Sequence, residues 1–476
     1  MIHPVNLKLI GYSGHILNMR ARMPFRFGIS TMTFTPHLFL RVQLSIDGQH
    51  FQGVAADHLP PKWFTKNPQT AYRADVTEML RVIRHAAETA VQLPTSPTLY
   101  ELWKQLYAHQ GAWIEKQKLP PLLGFFGVSL VERAMIDAYC RAIKTPFAEV
   151  IRNNLLGIDD MPLDLLPDKP LRSLIVRHTV GLTDPITADD IPAAERIDDG
   201  LPQSLDQCIR AYGLTHFKIK LCGDVDNDLY RLRRLSEVIA TASPRYAFTL
   251  DGNENFHDLK PFRALWQSLT DDPALHTFLQ RLIFVEQPLH RDVALSEPVK
   301  DAMRAWPDRP PILIDESDAT LTSLSTALDC GYIGTSHKNC KGIFKGIRNA
   351  CRIAELRRTQ PHTNWTLSGE DLSNVGPVSL LQDVAVMANL GITHVERNGH
   401  HYFRGLSALP PDLQTTVLQN HGDVYRQHER GFPTLNIRAG QIAIDTVVNS
   451  PFGMAFDFDP TVFIPWEQWC FDSIES

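Results

Sequence analysis

The sequence predicts an α/β fold, a modified (β/α)8 TIM-type barrel with an α+β unit in front of it, and three observations support this. Short apolar runs recur between Lys218 and Lys338, each closed by one or two ionisable residues. The closing residues Lys220, Asp251, Glu286, Asp315 and Lys338 are separated by 31, 35, 29 and 23 residues in turn. A barrel of this type spends roughly 30 residues on each strand–loop–helix–loop unit. Helical patterns fill the intervals, with Leu229, Leu232 and Leu235 on one face of residues 227–235.

In chain order, residues 1–160 read as the α+β unit. Leu38, Leu40, Val42, Leu44 and Ile46 alternate, and Asp47-Gly48 then supplies a hairpin turn into residues 49–54. Val128, Val131, Met135, Ala138 and Ala142 follow at helical spacing. The barrel is expected over 161–431. Its first strand lies near 175–180, and the second is Thr215-His216-Phe217-Lys218-Ile219-Lys220. Later strands end at Asp251, Glu286, Asp315-Glu316 and Lys338. The seventh closes on Ser368-Gly369-Glu370-Asp371 and the eighth on Glu396. Residues 432–476 hold further strand-like pieces and form a C-terminal return.

Composition narrows the function classes. With 43% hydrophobic and 21% charged residues, the 476-residue chain can bury a large core and is too apolar for disorder. A formal charge of −6 and the lack of a basic run argue against nucleic-acid binding. No apolar stretch approaches a membrane span. Seven scattered cysteines without CxxC spacing suit free thiols, and residues 1–10 carry no secretory pattern, so a cytoplasmic protein is expected.

The chemistry follows from convergence. All strands of a barrel open their C-terminal ends on one mouth. Lys218 and Lys220, two apart on a strand, share the inward face. Three crowded carboxylates raise each other's pKa unless a cation joins them. Asp251, Glu286 and Asp315 form an oxygen-only set suited to a hard divalent ion, Mg²⁺ first. Lysines flanking that ion, their pKa values lowered by it and by each other, could take and return a proton beside a carboxylate. Singly, each acid could equally cap a helix. Three closing three successive strands point to a shared cation.

Lys218-Ile219-Lys220, Asp251-Gly252-Asn253, Glu286-Gln287-Pro288, Asp315-Glu316-Ser317 and Lys338 together resemble, in order and spacing, the enolase superfamily. Within it they resemble the muconate lactonizing enzyme subgroup of the mandelate racemase/muconate lactonizing enzyme-like proteins. A Lys base working with Mg²⁺ is an established pattern of that superfamily rather than something the spacing shows. The resemblance implies a capping domain at residues 1–160, completed by residues 432–476. It implies metal ligation by Asp251, Glu286 and Asp315, with Mg²⁺ as cofactor and Mn²⁺ as the alternative. It implies acid/base work by Lys220 and Lys338 on opposite substrate faces, with Lys218 tuning Lys220 and Glu316 pairing with Lys338. A mobile loop over residues 20–30 would cover the mouth, where Arg20, Arg22 and Arg26 could meet a substrate carboxylate. Asn253, Glu370 and Lys341 complete the candidate supporting residues. The partner implied is a small carboxylate substrate, and homo-oligomers are common in the superfamily.

The pattern departs from the family at the sixth strand. Lys338-Asn339-Cys340-Lys341-Gly342-Ile343 is one residue shorter than the usual lysine motif and has a single glycine, so Lys341 competes with Lys338 for the role of base. The eighth strand lacks the Asp-x-Asp pair of the dipeptide epimerases. The expected reaction is Mg²⁺-dependent abstraction of a carboxylate's α-proton to a metal-stabilised enediolate. Racemisation or epimerisation, dehydration, or cycloisomerisation would follow. Two other classes compete: a Schiff-base barrel of the class I aldolase kind, and a catalytically silent ligand-binding barrel.

Overall fold

The structure, a computed structural model, describes residues 5–27 and 29–475. Strand β1 (Leu7–Phe27) pairs antiparallel with β2 (Ser30–Ile46), which turns into β3 (Gln49–His58). The turn is Asp47-Gly48, both at positive φ (49° and 82°), the geometry that two-residue hairpins need. The segment expected as a loop over residues 20–30 is largely strand, with a register irregularity between Arg20 and Phe25; Gly28 itself lies outside the described residues. The reason is period-two patterning: Met19, Met23 and Phe25 are buried while Arg20, Pro24 and Arg26 between them face outward.

Helices α1 (Pro61–Thr65), α2 (Tyr72–Gln92), α3 (Leu99–Gln117) and α4 (Pro121–Ala142) follow the sheet. Helix α4 is buried along nearly its whole length and lies directly on β3. Gly53 permits the close approach. A Cβ there would fall 2.2 Å from Ala134 O and 2.3 Å from Ala138 N, both backbone atoms. Gly53→Ala should therefore push α4 outward and cost about 1–3 kcal/mol. A thermal midpoint equal to the wild type would show that the helix has room to spare.

Among the described residues the barrel comprises eight parallel strands: β4 (Ser173–Val180), β5 (His216–Lys220), β6 (Ala247–Asp251), β7 (Leu282–Glu286), β8 (Ile312–Leu313), β9 (Gly334–His337), β10 (Thr366–Gly369) and β11 (His394–Arg397). The hydrogen-bonded order is β8-β7-β6-β5-β4-β11-β10-β9, and an Ile314–Thr335 bridge joins the two ends. The predicted barrel and α+β cap are both present. In this ring β5 and β9 lie four strands apart in either direction, so they stand opposite one another.

Two C-terminal pieces attach to different sheets. Gln441–Ala443 pairs antiparallel with the start of β4, and Ile464–Pro465 pairs with β1. Phe463 stacks on Phe39 of the cap at 4.8 Å. A buried polar network also joins cap and barrel. Arg133 of α4 reaches Asp57 of β3 at 3.0 Å, Asn374 donates to Asp57, and Arg397 bridges Asp371 and Asp383. All seven cysteines are free thiols. Among the described residues no helix is long and apolar enough to cross a membrane.

Candidate functional site

Alternation along β5 aims both Lys218 and Lys220 into the barrel. Lys218 Nζ lies 2.9 Å from Asp251 Oδ2, 2.9 Å from Glu286 Oε1, 2.7 Å from Glu370 Oε2 and 3.0 Å from Glu396 Oε2. Lys220 donates to Asp251 Oδ2 at 2.6 Å and to Asn253 Oδ1 at 3.1 Å. From the opposite wall, Lys338 Nζ lies 2.9 Å from Asp315 Oδ2 and 3.1 Å from Glu370 Oε2, with the Trp63 ring 4.5 Å away. Arg177 of β4 closes on the other oxygen of Glu370 at 3.0 Å.

The surrounding carboxylates dominate the electrostatics of Lys218 and Lys338. Burial alone would lower Lys218, but the carboxylates of Asp251, Glu286, Glu370 and Glu396 hold its proton well above the usual lysine range. Lys338 is likewise held up, against burial, by Asp315 and Glu370. The carboxylates split. Lys218 and Lys338 overcome the cost of burial and keep Glu370 ionised. Burial and then the neighbouring charge of Glu370 push Glu286 well above the ordinary carboxyl range.

That split bears on whether the residues suit a divalent ion. Glu286, Asp315 and Glu370 each offer an oxygen, and these oxygens lie within 4.8 Å of one another. Glu286 Oε1 accepts from Lys218 at 2.9 Å, and its Oε2 is buried without a partner among the described residues. A buried, all-oxygen set with an unspent lone pair fits Mg²⁺. Asp251, expected in this set, adjoins it through Lys218 and is engaged by both β5 lysines. Glu370, expected to support, converges directly with Glu286 and Asp315.

The remaining candidates divide. Asn253 sits at φ 46°, its backbone N–H donating to Asp251 Oδ1 at 2.9 Å. Gln287 (φ 34°) and Ser373 (φ 60°) carry similar strain after β7 and β10, as rim residues of functional sites often do. Glu316 does not pair with Lys338: Asp315 and Glu370 take that ammonium. Burial, with Asp315, Glu254 and Asp251 nearby, pushes Glu316 up to about 8. Lys341 is spent on Asp315 O, Asp315 Oδ1, Ser336 O and Ser336 Oγ, at 2.7–3.2 Å. It buttresses Asp315, whereas Lys338 lines the cavity. Arg20 donates to Ile474 O at 3.1 Å and Arg26 is exposed, and neither is among the residues that line the cavity. Arg22 instead clamps Asp199 and the carbonyl of His401.

The cavity over the cluster is about 50 Å³, and the cap roofs it with Phe25, Met32 and Trp63. Arg291 fixes α1 in place, accepted by the carbonyls of Trp63 and Phe64 and by Glu254. Glu396 and Arg177 were missed from the sequence. Glu396 closes an apolar run just as the earlier acids do, and Arg177 with Thr179 alternates inward on β4, so both carried a signal.

Several solved structures share this architecture at low identity. Muconate lactonizing enzyme from Mucobacterium Smegmatis, complexed with muconolactone, is 17% identical with a TM-score of 0.58, over 96% of this chain and 99% of that one. N-succinyl Arg/Lys racemase from Bacillus cereus is 14% identical with a TM-score of 0.57, over 94% and 98%. An enolase from Bradyrhizobium, complexed with magnesium and mandelic acid, is 12% identical with a TM-score of 0.55, over 92% and 93%. The chain has the enolase-superfamily fold. No family model and no curated protein matches the sequence. Within that fold, the mouth of the barrel is where Lys220, Lys338 and the carboxylate cluster meet.

Proposed function

We propose that the protein is an enzyme that removes the α-proton of a small carboxylate substrate, with Mg²⁺ as its cofactor. The observation that carries this reading is that Lys220 and Lys338, from opposite strands of the ring, border one cavity beside one cluster of carboxylates. Bound by Glu286, Asp315 and Glu370 with Asp251 alongside, the ion would supply positive charge for the substrate's carboxylate as its second negative charge develops. Lys220 and Lys338 take and return the proton from either face. Lys218, enclosed by four carboxylates, stays an ammonium and adds fixed positive charge at the cavity floor. Glu316 lines the same cavity with its Oε2 buried and without a partner among the described residues, a polar atom open to the substrate.

Bases on both faces fit racemisation or epimerisation best, and dehydration or cycloisomerisation would begin with the same step. The roof of Phe25, Met32 and Trp63 favours an apolar group at the α-carbon. The cavity has space for about one or two waters, so the cap must yield for a substrate to enter. The magnesium and mandelic acid of the Bradyrhizobium structure are consistent with this chemistry. A Schiff-base reading is weaker, because a nucleophilic lysine does not need the cluster of carboxylates that converges here from Asp251, Glu286, Asp315 and Glu370.

The test is deuterium incorporation at the α-carbon of a panel of substituted carboxylic acids in D₂O with Mg²⁺, followed by NMR. Exchange that needs Mg²⁺ supports the reading; no exchange across acid sugars, N-acylamino acids, dipeptides and cyclohexadienyl acids would overturn it. Glu370→Gln should weaken Mg²⁺ affinity about 10–100-fold by calorimetric titration. An unchanged affinity would remove Glu370 from the ligand set.

A further inference from the structure

A second cluster lies outside the barrel wall. His178 of β4, Cys208 of the helix Leu205–Tyr212 and His401 of the short helix Gly399–Tyr402 bring one donor atom each to within 4.8 Å of one another. All three residues are 2% exposed or less. Even-numbered residues of β4 face away from Arg177 and Thr179, so His178 points to the helix layer. The site is therefore separate from the carboxylates at the mouth.

Its spacing is informative. Cys208 Sγ lies 3.5 Å from His401 Nδ1. With Zn–S near 2.3 Å and Zn–N near 2.0–2.1 Å, a tetrahedral edge between sulfur and nitrogen is about 3.5 Å. A thiol–imidazole hydrogen bond has a similar length, and a third donor within reach of both is what such a bond does not require. The outer contacts also have the form of a metal site. Ligating histidines commonly donate their other ring N–H to a carboxylate or another acceptor, which fixes the tautomer. His178 Nδ1 meets His400 Nε2 at 3.3 Å, while His401 Nε2 lies 3.9 Å from Asp184 Oδ2, beyond hydrogen-bond length. Asp184 is held in turn by Tyr402 Oη at 2.5 Å and the Gly181 N–H at 2.7 Å. His400 Nδ1 and Tyr212 Oη are buried with no partner among the described residues.

We propose that His178, Cys208 and His401 bind a borderline-soft divalent ion, Zn²⁺ first, with the Asp184 carboxylate close by. The donor set of one sulfur and two imidazoles selects such an ion over Mg²⁺. The Cys208 thiol gives up its proton when the ion binds, and the Asp184 carboxylate offsets the remaining positive charge. Full burial means that the ion is taken up as the chain folds. Its place in the structure gives it a purpose. The site ties β4, its following helix and the segment after β11 together, where Arg22 of β1 grips His401 and Phe25 stacks on Tyr402 at 4.2 Å. The ion would thus fix the base of the strand that roofs the cavity.

The experiment is to express the full chain in medium supplemented with Zn²⁺ or, separately, Co²⁺, dialyse against Mg²⁺ buffer, and measure metal content and absorption. A single tightly held equivalent of Zn²⁺ and a thiolate-to-cobalt charge-transfer band in the Co²⁺ protein are expected. Cys208→Ala should lose both, while Asp315→Asn, altered at the mouth, should keep both. Wild-type protein that retains no Zn²⁺, or Co²⁺ protein with no thiolate band, would overturn the proposal without recourse to any variant. Cys208→Ala or His401→Asn protein that folds and retains Zn²⁺ like the wild type would do the same.

Discussion

Lys338→Met is expected to slow α-proton exchange about 10²–10⁴-fold, the range that a positioned acid–base group contributes, while leaving the thermal midpoint close to wild type. The fold tolerates the loss because each partner of Lys338 keeps another cation. Asp315 retains Lys341 at 2.7 Å, and Glu370 retains Lys218 at 2.7 Å and Arg177 at 3.0 Å. Lys341→Met should behave in the opposite order. It strips four acceptors of one buried donor, so the midpoint falls first and activity falls because Asp315 is displaced. Truncating one member of a buried pair costs about 3–5 kcal/mol. Measuring exchange and thermal midpoint together for both variants separates the roles. If Lys341→Met is stable but inactive and Lys338→Met retains full exchange, the base has been assigned to the wrong lysine. Lys220→Met adds a stereochemical reading: with one face silenced, Lys338 should still exchange the enantiomer that presents its proton to β9.

Much of this site was legible in the sequence because a barrel converts a linear rule into a spatial one. Apolar runs ending in ionisable residues at a steady interval must deliver those residues to one rim, so Lys218, Lys220, Asp251, Glu286, Asp315 and Lys338 meet as their spacing implies. The contest between Lys338 and Lys341 was not legible, because it depends on a single-turn helix (Asn339–Lys341) that turns Lys341 back under Asp315. Nor was the number of carboxylates around Lys218 and Lys338, because Glu370 and Glu396 arrive from strands far along the chain. Residues 20–30 show the opposite failure. Their alternation of Met or Phe with Arg marked a strand, but reading the arginines as substrate contacts hid it. The His178–Cys208–His401 cluster has no sequence signature, since its members are 30 and 193 residues apart in turn and meet only because β4 and β11 are neighbours.

The joint between cap and barrel should be the most sensitive point for stability, and Arg133→Met tests it. Arg133 is fully buried on α4 and donates to Asp57 Oδ2 at 3.0 Å, Ala56 O at 3.1 Å and Ser129 O at 3.0 Å. Asp57 is also bound by Asn374 from the barrel at 3.1 Å, so the pair links β3, α4 and the segment that lines the mouth. Methionine fills most of the same volume, so the loss is chiefly electrostatic. Asp57 would be left with a buried charge and one amide donor, at a cost of about 3–5 kcal/mol. Burial already raises the Asp57 carboxyl, and Arg133 is the first group that opposes it. The variant should therefore be more stable at low pH relative to wild type than at neutral pH, since protonating Asp57 removes the stranded charge. Adding Asp57→Asn to Arg133→Met should restore part of the lost stability, because a neutral amide has no charge to strand. The measurement is the denaturant midpoint of wild type, both single variants and the double variant. A double variant no more stable than Arg133→Met alone would mean that Arg133 acts through its three-way hydrogen bonding rather than through the ion pair.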